Sequence, residues 1–135
     1  MRQFLFVVLV AAAAAGCATM QGVTTTTTAG HELQPLMAGW ERHFSVTWDA
    51  TQRRGRPTVE GYVANRSPYR VGNLRVLVDA LDDTGRIVGQ RVSWVLGELG
   101  GDSRLYFDVP VPSAARYQVR VFSYDRIDEA ALRLP

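Results

Sequence analysis

From residue 43 onward, apolar and polar side chains alternate in short runs. In residues 43–51, Phe44, Val46 and Trp48 are separated by polar neighbours, the period-two signature of a half-buried strand. Residues 58–65 place Val59, Gly61 and Val63 on one face. Residues 74–81 give the clearest strand, with Leu74, Val76, Val78 and Ala80 inward and Arg75 and Asp79 outward. A slip of one residue would bury both charges, so this register predicts a core Val76 and Val78 and an exposed Arg75 and Asp79. Residues 86–96 predict a strand kinked at Gly89, and 103–109 one carrying Leu105, Phe107 and Val109. Residues 116–124 predict a last long strand with Tyr117, Val119 and Val121 on one face. Turn signals punctuate these runs: Arg53 to Pro57, Asn65-Arg66-Ser67-Pro68, Asp82-Asp83-Thr84-Gly85, Gly100-Gly101-Asp102, and Pro110 with Pro112.

The flanks read differently. Leu33, Leu36, Met37 and Trp40 have helical spacing, but Pro35 interrupts it and Gly39 weakens it. A single turn that packs Trp40 on the domain is expected. In residues 125–134, Ile127, Ala130, Ala131 and Leu134 recur at helical spacing, with acids early and Arg133 late, which predicts a short terminal helix. Without crossover helices between the strands, a parallel sheet is excluded. The expected fold is all-β: an antiparallel β-sandwich of six to seven strands over residues 31–135, with a small closed barrel as the other architecture.

The first residues predict export. Met1-Arg2-Gln3 is a basic start, and Phe4 to Ala15 is an unbroken apolar run. As a helix that run spans roughly 18 Å, short of a hydrocarbon core of about 30 Å. It reads as the apolar region of a signal peptide rather than a permanent span. Ala14-Ala15-Gly16-Cys17 follows at once and resembles the lipobox of bacterial lipoproteins. That resemblance implies removal of residues 1–16 and lipidation of Cys17. The other reading is an ordinary signal peptide cut at Ala13-Ala14-Ala15, which leaves Cys17 a free thiol. Lipidation agrees with there being one Cys, which would otherwise lack a partner in an oxidising compartment. Ala18 follows the cysteine, and the resemblance then implies the inner leaflet of the outer membrane, facing the periplasm. Residues 17–30 include the run Thr24 to Thr28, with nothing apolar alternating against it. They read as a flexible tether rather than a strand.

Several domain motifs also resemble a family. V-E-G-Y-V-A-N-R-S from Val59, N-L-R-V-L-V-D-A-L-D-D-T-G-R-I-V-G from Asn73, L-Y-F-D-V-P-V-P from Leu105 and A-R-Y-Q-V-R-V from Ala115 are similar to FxLYD-type domains, immunoglobulin-like sandwiches of exported proteins. The name-giving stretch differs here: Val78-Asp79-Ala80-Leu81-Asp82 lacks the Phe and the Tyr. The resemblance implies an immunoglobulin-like sandwich and brings no catalytic residues.

Composition narrows function mainly by exclusion. One Cys excludes an intrachain disulfide and a multi-cysteine zinc site. All 15 basic residues are Arg, against 13 acids, so the chain has no broad cationic face and nucleic acid is not an expected partner. Arg53, Arg54 and Arg56 form the one basic cluster; it reads as a hairpin loop, with contact to phosphate or anionic lipid as the functional alternative. Asp79, Asp82, Asp83 and Thr84 read as a turn rather than a cation site. His31 and His43 have no motif around them, and no G-x-S-x-G or H-E-x-x-H occurs. Tyr117 resembles a tyrosine corner, its hydroxyl capping the backbone. Trp48, Trp94, Tyr69 and Tyr106 are the aromatics whose exposure would mark a contact patch. The expectation is a cofactor-free, non-enzymatic module tethered to the membrane through Cys17, with an envelope protein as partner. A ligand-binding accessory role, for a glycan or small molecule, is the alternative.

Overall fold

The computed structural model describes residues 31–127. Alternation of β-branched, aromatic and polar residues gives strands β1 (Phe44–Arg53), β2 (Arg56–Asn65), β3 (Val71–Leu81), β4 (Ile87–Trp94), β5 (Arg104–Pro110) and β6 (Arg116–Arg126). They form two three-stranded sheets, β1-β2-β5 and β4-β3-β6, with every pairing antiparallel. Arg54 and Gly55 join β1 to β2, both with positive φ (50° and 73°), as a two-residue hairpin requires. β5 returns beside β2, and β6 beside β3, so the chain makes the Greek-key strand order of an immunoglobulin-like sandwich.

The inner faces meet as the alternation predicts. Phe44, Val59, Val63, Leu74, Val76, Val78, Phe107, Val109, Val119 and Val121 form one buried cluster, with Trp40, Val46, Trp48, Leu105 and Tyr117 packed against it. Opposite Trp48 stands Gly61, where an added Cβ would overlap the Thr47 carbonyl oxygen and the Trp48 backbone. That close approach admits only glycine. The expected single turn is a 3₁₀ turn at Trp40–Arg42.

Polar side chains fasten the ends of the sandwich. Asn65 is buried; its Nδ2 donates to the Tyr69 carbonyl (2.7 Å) and the Gly100 carbonyl (3.2 Å), while its Oδ1 accepts from the Ser67 N–H (2.9 Å) and hydroxyl (2.7 Å). One carboxamide thus ties the β2–β3 and β4–β5 connections together. At the other end Tyr117 is a tyrosine corner: its hydroxyl donates to the Pro112 carbonyl (2.7 Å) and accepts from the Ala114 N–H (3.1 Å). Asp82 closes the β3–β4 turn by accepting from the N–H groups of Thr84 and Arg86 and from the Thr84 hydroxyl, and Gly85 supplies φ 86°.

Asp79 departs from expectation. Val76 and Val78 are inside as predicted, but Asp79 is fully buried on the opposite face, beside a buried Leu77. That face is not open to water, because residues 33–36 lie across it as a strap. The Leu33 N–H donates to Gln90 Oε1 (2.8 Å) and Gln90 Nε2 donates back to the Leu33 carbonyl (3.0 Å). Gln90 Nε2 also donates to Asp79 Oδ1 (2.7 Å), and Arg120 Nη2 pairs with Asp79 Oδ2 (2.6 Å). The Leu36 N–H donates to the Phe122 carbonyl (2.8 Å). Desolvation of the carboxylate is compensated by an ion pair and an amide, as a buried charge requires. Arg75, the other expected surface charge, is half-buried.

The expected terminal helix is also corrected at its start. β3 begins early, at Val71, so β6 keeps a pairing partner through Asp125 and Arg126. The rest of that segment, from residue 128, lies outside the described residues, as do residues 1–30 with Cys17 and the Thr-rich run.

Three stability measurements test this packing. Val76→Ala should cost about 1–3 kcal/mol in urea unfolding, from lost burial and a residual cavity. Asp79→Ala should cost about 2–4 kcal/mol, because it leaves the Arg120 guanidinium against the strap without its counter-charge. The double substitution Asp79→Leu with Arg120→Met should cost less than Asp79→Ala alone.

Candidate interaction surface

The two outer sheet faces carry different chemistry. On β1-β2-β5, register sets Tyr62 directly opposite Tyr106, and the rings meet edge to face at 5.6 Å. The Arg104 guanidinium lies 4.5 Å over the Tyr62 ring. Tyr106 donates its hydroxyl to Glu60 Oε2 (2.8 Å) and accepts from Arg53 Nη2 (2.7 Å), while Arg53 also pairs with Glu60 at 2.6 Å. These bonds shift the ionisation of both acids. The Tyr106 and Arg53 hydrogen bonds hold Glu60 below the ordinary carboxylate value, and the negative Glu60 raises the Tyr106 phenol above its usual value.

On β4-β3-β6, one cation is held between two aromatic rings. The Arg75 guanidinium lies 4.9 Å over Trp94 on β4 and 5.3 Å over Phe122 on β6, and Arg75 Nε donates to Ser123 Oγ (2.7 Å). Trp94 is nonetheless 57% exposed. Val92, two residues before Trp94 on the same face, is also exposed, and Val88 is exposed at the bulge where the register with β3 shifts, beyond the buried Gln90. Among the described residues β4 is an edge strand, so this apolar surface borders a backbone edge that no described strand pairs. Exposed Leu36 and Met37 of the strap segment add apolar surface.

A third feature is the β1–β2 hairpin. Arg53, Arg54 and Arg56 line an open groove of about 540 Å³ with Thr58, Asp108 and Pro110. Arg53 is engaged by Glu60, whereas Arg54 and Arg56 have no ion-pair partner among the described residues.

The residues singled out in the sequence are dispersed. Trp94, Tyr106 and Tyr69 are exposed on three separate surfaces, and Trp48 is half-buried against the core. Tyr69 sits beneath the Arg126 guanidinium, 3.4 Å from its ring. Of the aspartates read as a turn rather than a cation site, Asp82 is folded into its turn, whereas Asp79 lies apart from it under the strap. His31 and His43 are both exposed. Sequence reasoning missed Arg75, Phe122, Glu60, Tyr62 and Arg104 as a cation–aromatic framework. Register between neighbouring strands is the signal that joins them, and it emerges only once pairing is known. Comparison with known proteins finds no matching family model, curated protein or solved structure.

The Glu60–Tyr106 contact can be read by titration. Absorbance should show Tyr106 ionising above the ordinary tyrosine value near 10, and Glu60→Gln should bring it back down. The linked stability from Glu60 should be present above the unfolded carboxylate value. It should be lost as pH falls through the lowered folded value.

Proposed function

We propose that the chain is a lipid-anchored envelope protein whose sandwich serves as a non-enzymatic contact module. The lipobox-like Ala14-Ala15-Gly16-Cys17 at the end of an apolar export segment supports anchoring through Cys17 at the inner leaflet of the outer membrane, facing the periplasm. Two acyl chains or more on that cysteine would hold the protein stably, where one would hold it marginally. The observation that carries the contact role is the exposed pair Val92 and Trp94 on a strand at the edge of the described sheet, with Arg75 stacked on Trp94. An apolar strip with an aromatic and an arginine at its end matches the composition of protein–protein interfaces. The partner is an envelope protein that offers an apolar surface and a carboxylate or carbonyl to Arg75. The non-enzymatic reading is supported by groups already committed to structure. Asp79 is locked in its ion pair, Asp82 holds its turn, and the Ser67 hydroxyl donates to Asn65.

One experiment tests both halves. A photo-reactive residue replaces Val92 or, on the opposite sheet, Thr47, in intact envelopes. Val92 should give a discrete protein adduct that disappears with Trp94→Ala, and Thr47 should give none. Cys17→Ala should leave the chain unprocessed, or soluble with its domain still folded. Equal adducts at both positions would sink the contact face, and tight membrane association of processed Cys17→Ala would sink the anchor.

A further inference from the structure

One bond fixes the phase of the ladder between β3 and β4. The Val95 N–H donates to the Leu74 carbonyl (2.8 Å), so the neighbouring residues Arg75 and Trp94 face each other as a non-hydrogen-bonded pair. Such pairs alternate with hydrogen-bonded ones, and the register is unbroken from Arg75↔Trp94 to Ala80↔Gly89. Leu77↔Val92 and Asp79↔Gln90 are therefore of the same kind. The backbone N–H and C=O groups of Gln90, Val92 and Trp94 point away from β3, to the edge that no described strand pairs. Two side chains agree with that direction. Arg91 Nη1 donates to the Gln90 carbonyl (3.1 Å), and Ser93 Oγ lies 3.5 Å from the Trp94 carbonyl. Each reaches round to an adjacent carbonyl where a neighbouring strand would place a donor.

Two of the residues that offer these groups also offer apolar side chains on the outer face: Val92 is 37% exposed and Trp94 57%. Arg91, between Gln90 and Val92, lies on the inner side of the edge, opposite the core residue Val78. It is half-buried, and its side chain has one hydrogen bond among the described residues, to the carbonyl of its own neighbour. No acid of the described residues pairs with it. A partly desolvated guanidinium is stabilised by a carboxylate, and Arg91 lacks one. On the free edge Arg91 occupies a non-hydrogen-bonded position, where side chains of adjacent strands come closest.

We infer that the partner of the contact surface binds as an added strand on β4, through an extended segment that alternates apolar residues with an acid. This rests on the contact reading above and gives the partner its form. Gln90, Val92 and Trp94 supply the backbone groups of the new ladder. Apolar side chains of the incoming strand lie beside Val92 and Trp94 on one face. Its carboxylate, on the other face, pairs with Arg91. Charge selects this occupant. β4 itself, Ile87–Trp94, contains no acid, so a second copy pairing β4 to β4 brings a second Arg91 and no carboxylate. A charge on the inner side of an edge strand opposes indiscriminate pairing. Arg91 therefore rejects strands that leave it unpaired and admits one that brings its counter-charge.

The test titrates the isotope-labelled full chain, in detergent micelles, with the peptide acetyl-Val-Thr-Val-Glu-Thr-amide and follows amide hydrogen exchange by NMR. Paired antiparallel, the peptide sets its Glu against Arg91 and its two Val against Val92 and Trp94. In the free chain the Val92 and Trp94 amides should exchange rapidly, whereas the Ser93 amide, bonded to β3, should be protected. Bound peptide should slow the first two about tenfold at a concentration about nine times its Kd and leave Ser93 unchanged. A peptide with Lys in place of Glu should give no protection. In the Arg91→Glu chain the preference should reverse, with the Lys peptide protecting and the Glu peptide not. No protection at millimolar peptide, or protection indifferent to these charges, would overturn the strand. So would protection of Val92 and Trp94 in the free chain: dependent on chain concentration it marks a second copy, and independent of it a cover from within the chain. A peptide that shifts the Trp94 indole signal while both amides exchange freely has bound the face and not the edge; that rejects the strand and leaves the contact surface standing. Equal photo-adducts at Val92 and Thr47 in envelopes reject the contact surface itself, and the strand with it.

Discussion

A carboxylate with no access to water must be balanced where it stands, and Asp79 is such a group. Its two oxygens are taken by Arg120 and Gln90, and those side chains in turn hold the backbone of Leu33. The outer face of β4-β3-β6 is therefore divided. One part is sealed by the strap, and the other leaves Val88, Val92 and Trp94 in solvent. A Leu at position 79 would cover the same area but would hold no backbone, since an apolar contact has no direction. The charge costs desolvation and in exchange specifies one placement of the strap.

The remaining polar residues work on the connections. Asn65 joins two loops at one end, and Tyr117 and Asp82 close the turns at the other. Each satisfies backbone groups that leave the strand ladders, which a sandwich this small cannot leave unpaired. With both ends fastened, the exposed chemistry sits on rigid strands: the tyrosine–arginine framework on one sheet and the Trp94–Arg75–Phe122 stack on the other.

The inner half of this fold was legible in the sequence, because period two and turn chemistry are local signals. Val59, Val63, Val76, Val78, Phe107, Val109 and Val121 lie inside as their alternation requires. The tyrosine corner at Tyr117 and the turn at Asp82 were equally readable. Asp79 was misread because alternation gives the face of a residue, and what covers that face is decided 46 positions away by Leu33. The start of the expected terminal helix was misread for a related reason: residues 125 and 126 open a helical spacing in sequence but have a strand partner in space. Trp94 and Tyr106 were visible as aromatics of interest. Their partners Arg75, Glu60 and Tyr62 came with strand pairing, which no single segment encodes.

Leu33 lies level with Asp79 and Leu36 with Phe122, so the strap runs parallel to β6, and this has a mechanical consequence. A pull on residue 31 along the sandwich axis runs down the length of the strap, so the bonds of Leu33 and Leu36 are strained together in shear. A pull perpendicular to the sheet would open them one at a time, as a zipper opens. The same few hydrogen bonds thus resist axial tension far better than lateral peeling, and the attachment becomes a directional one.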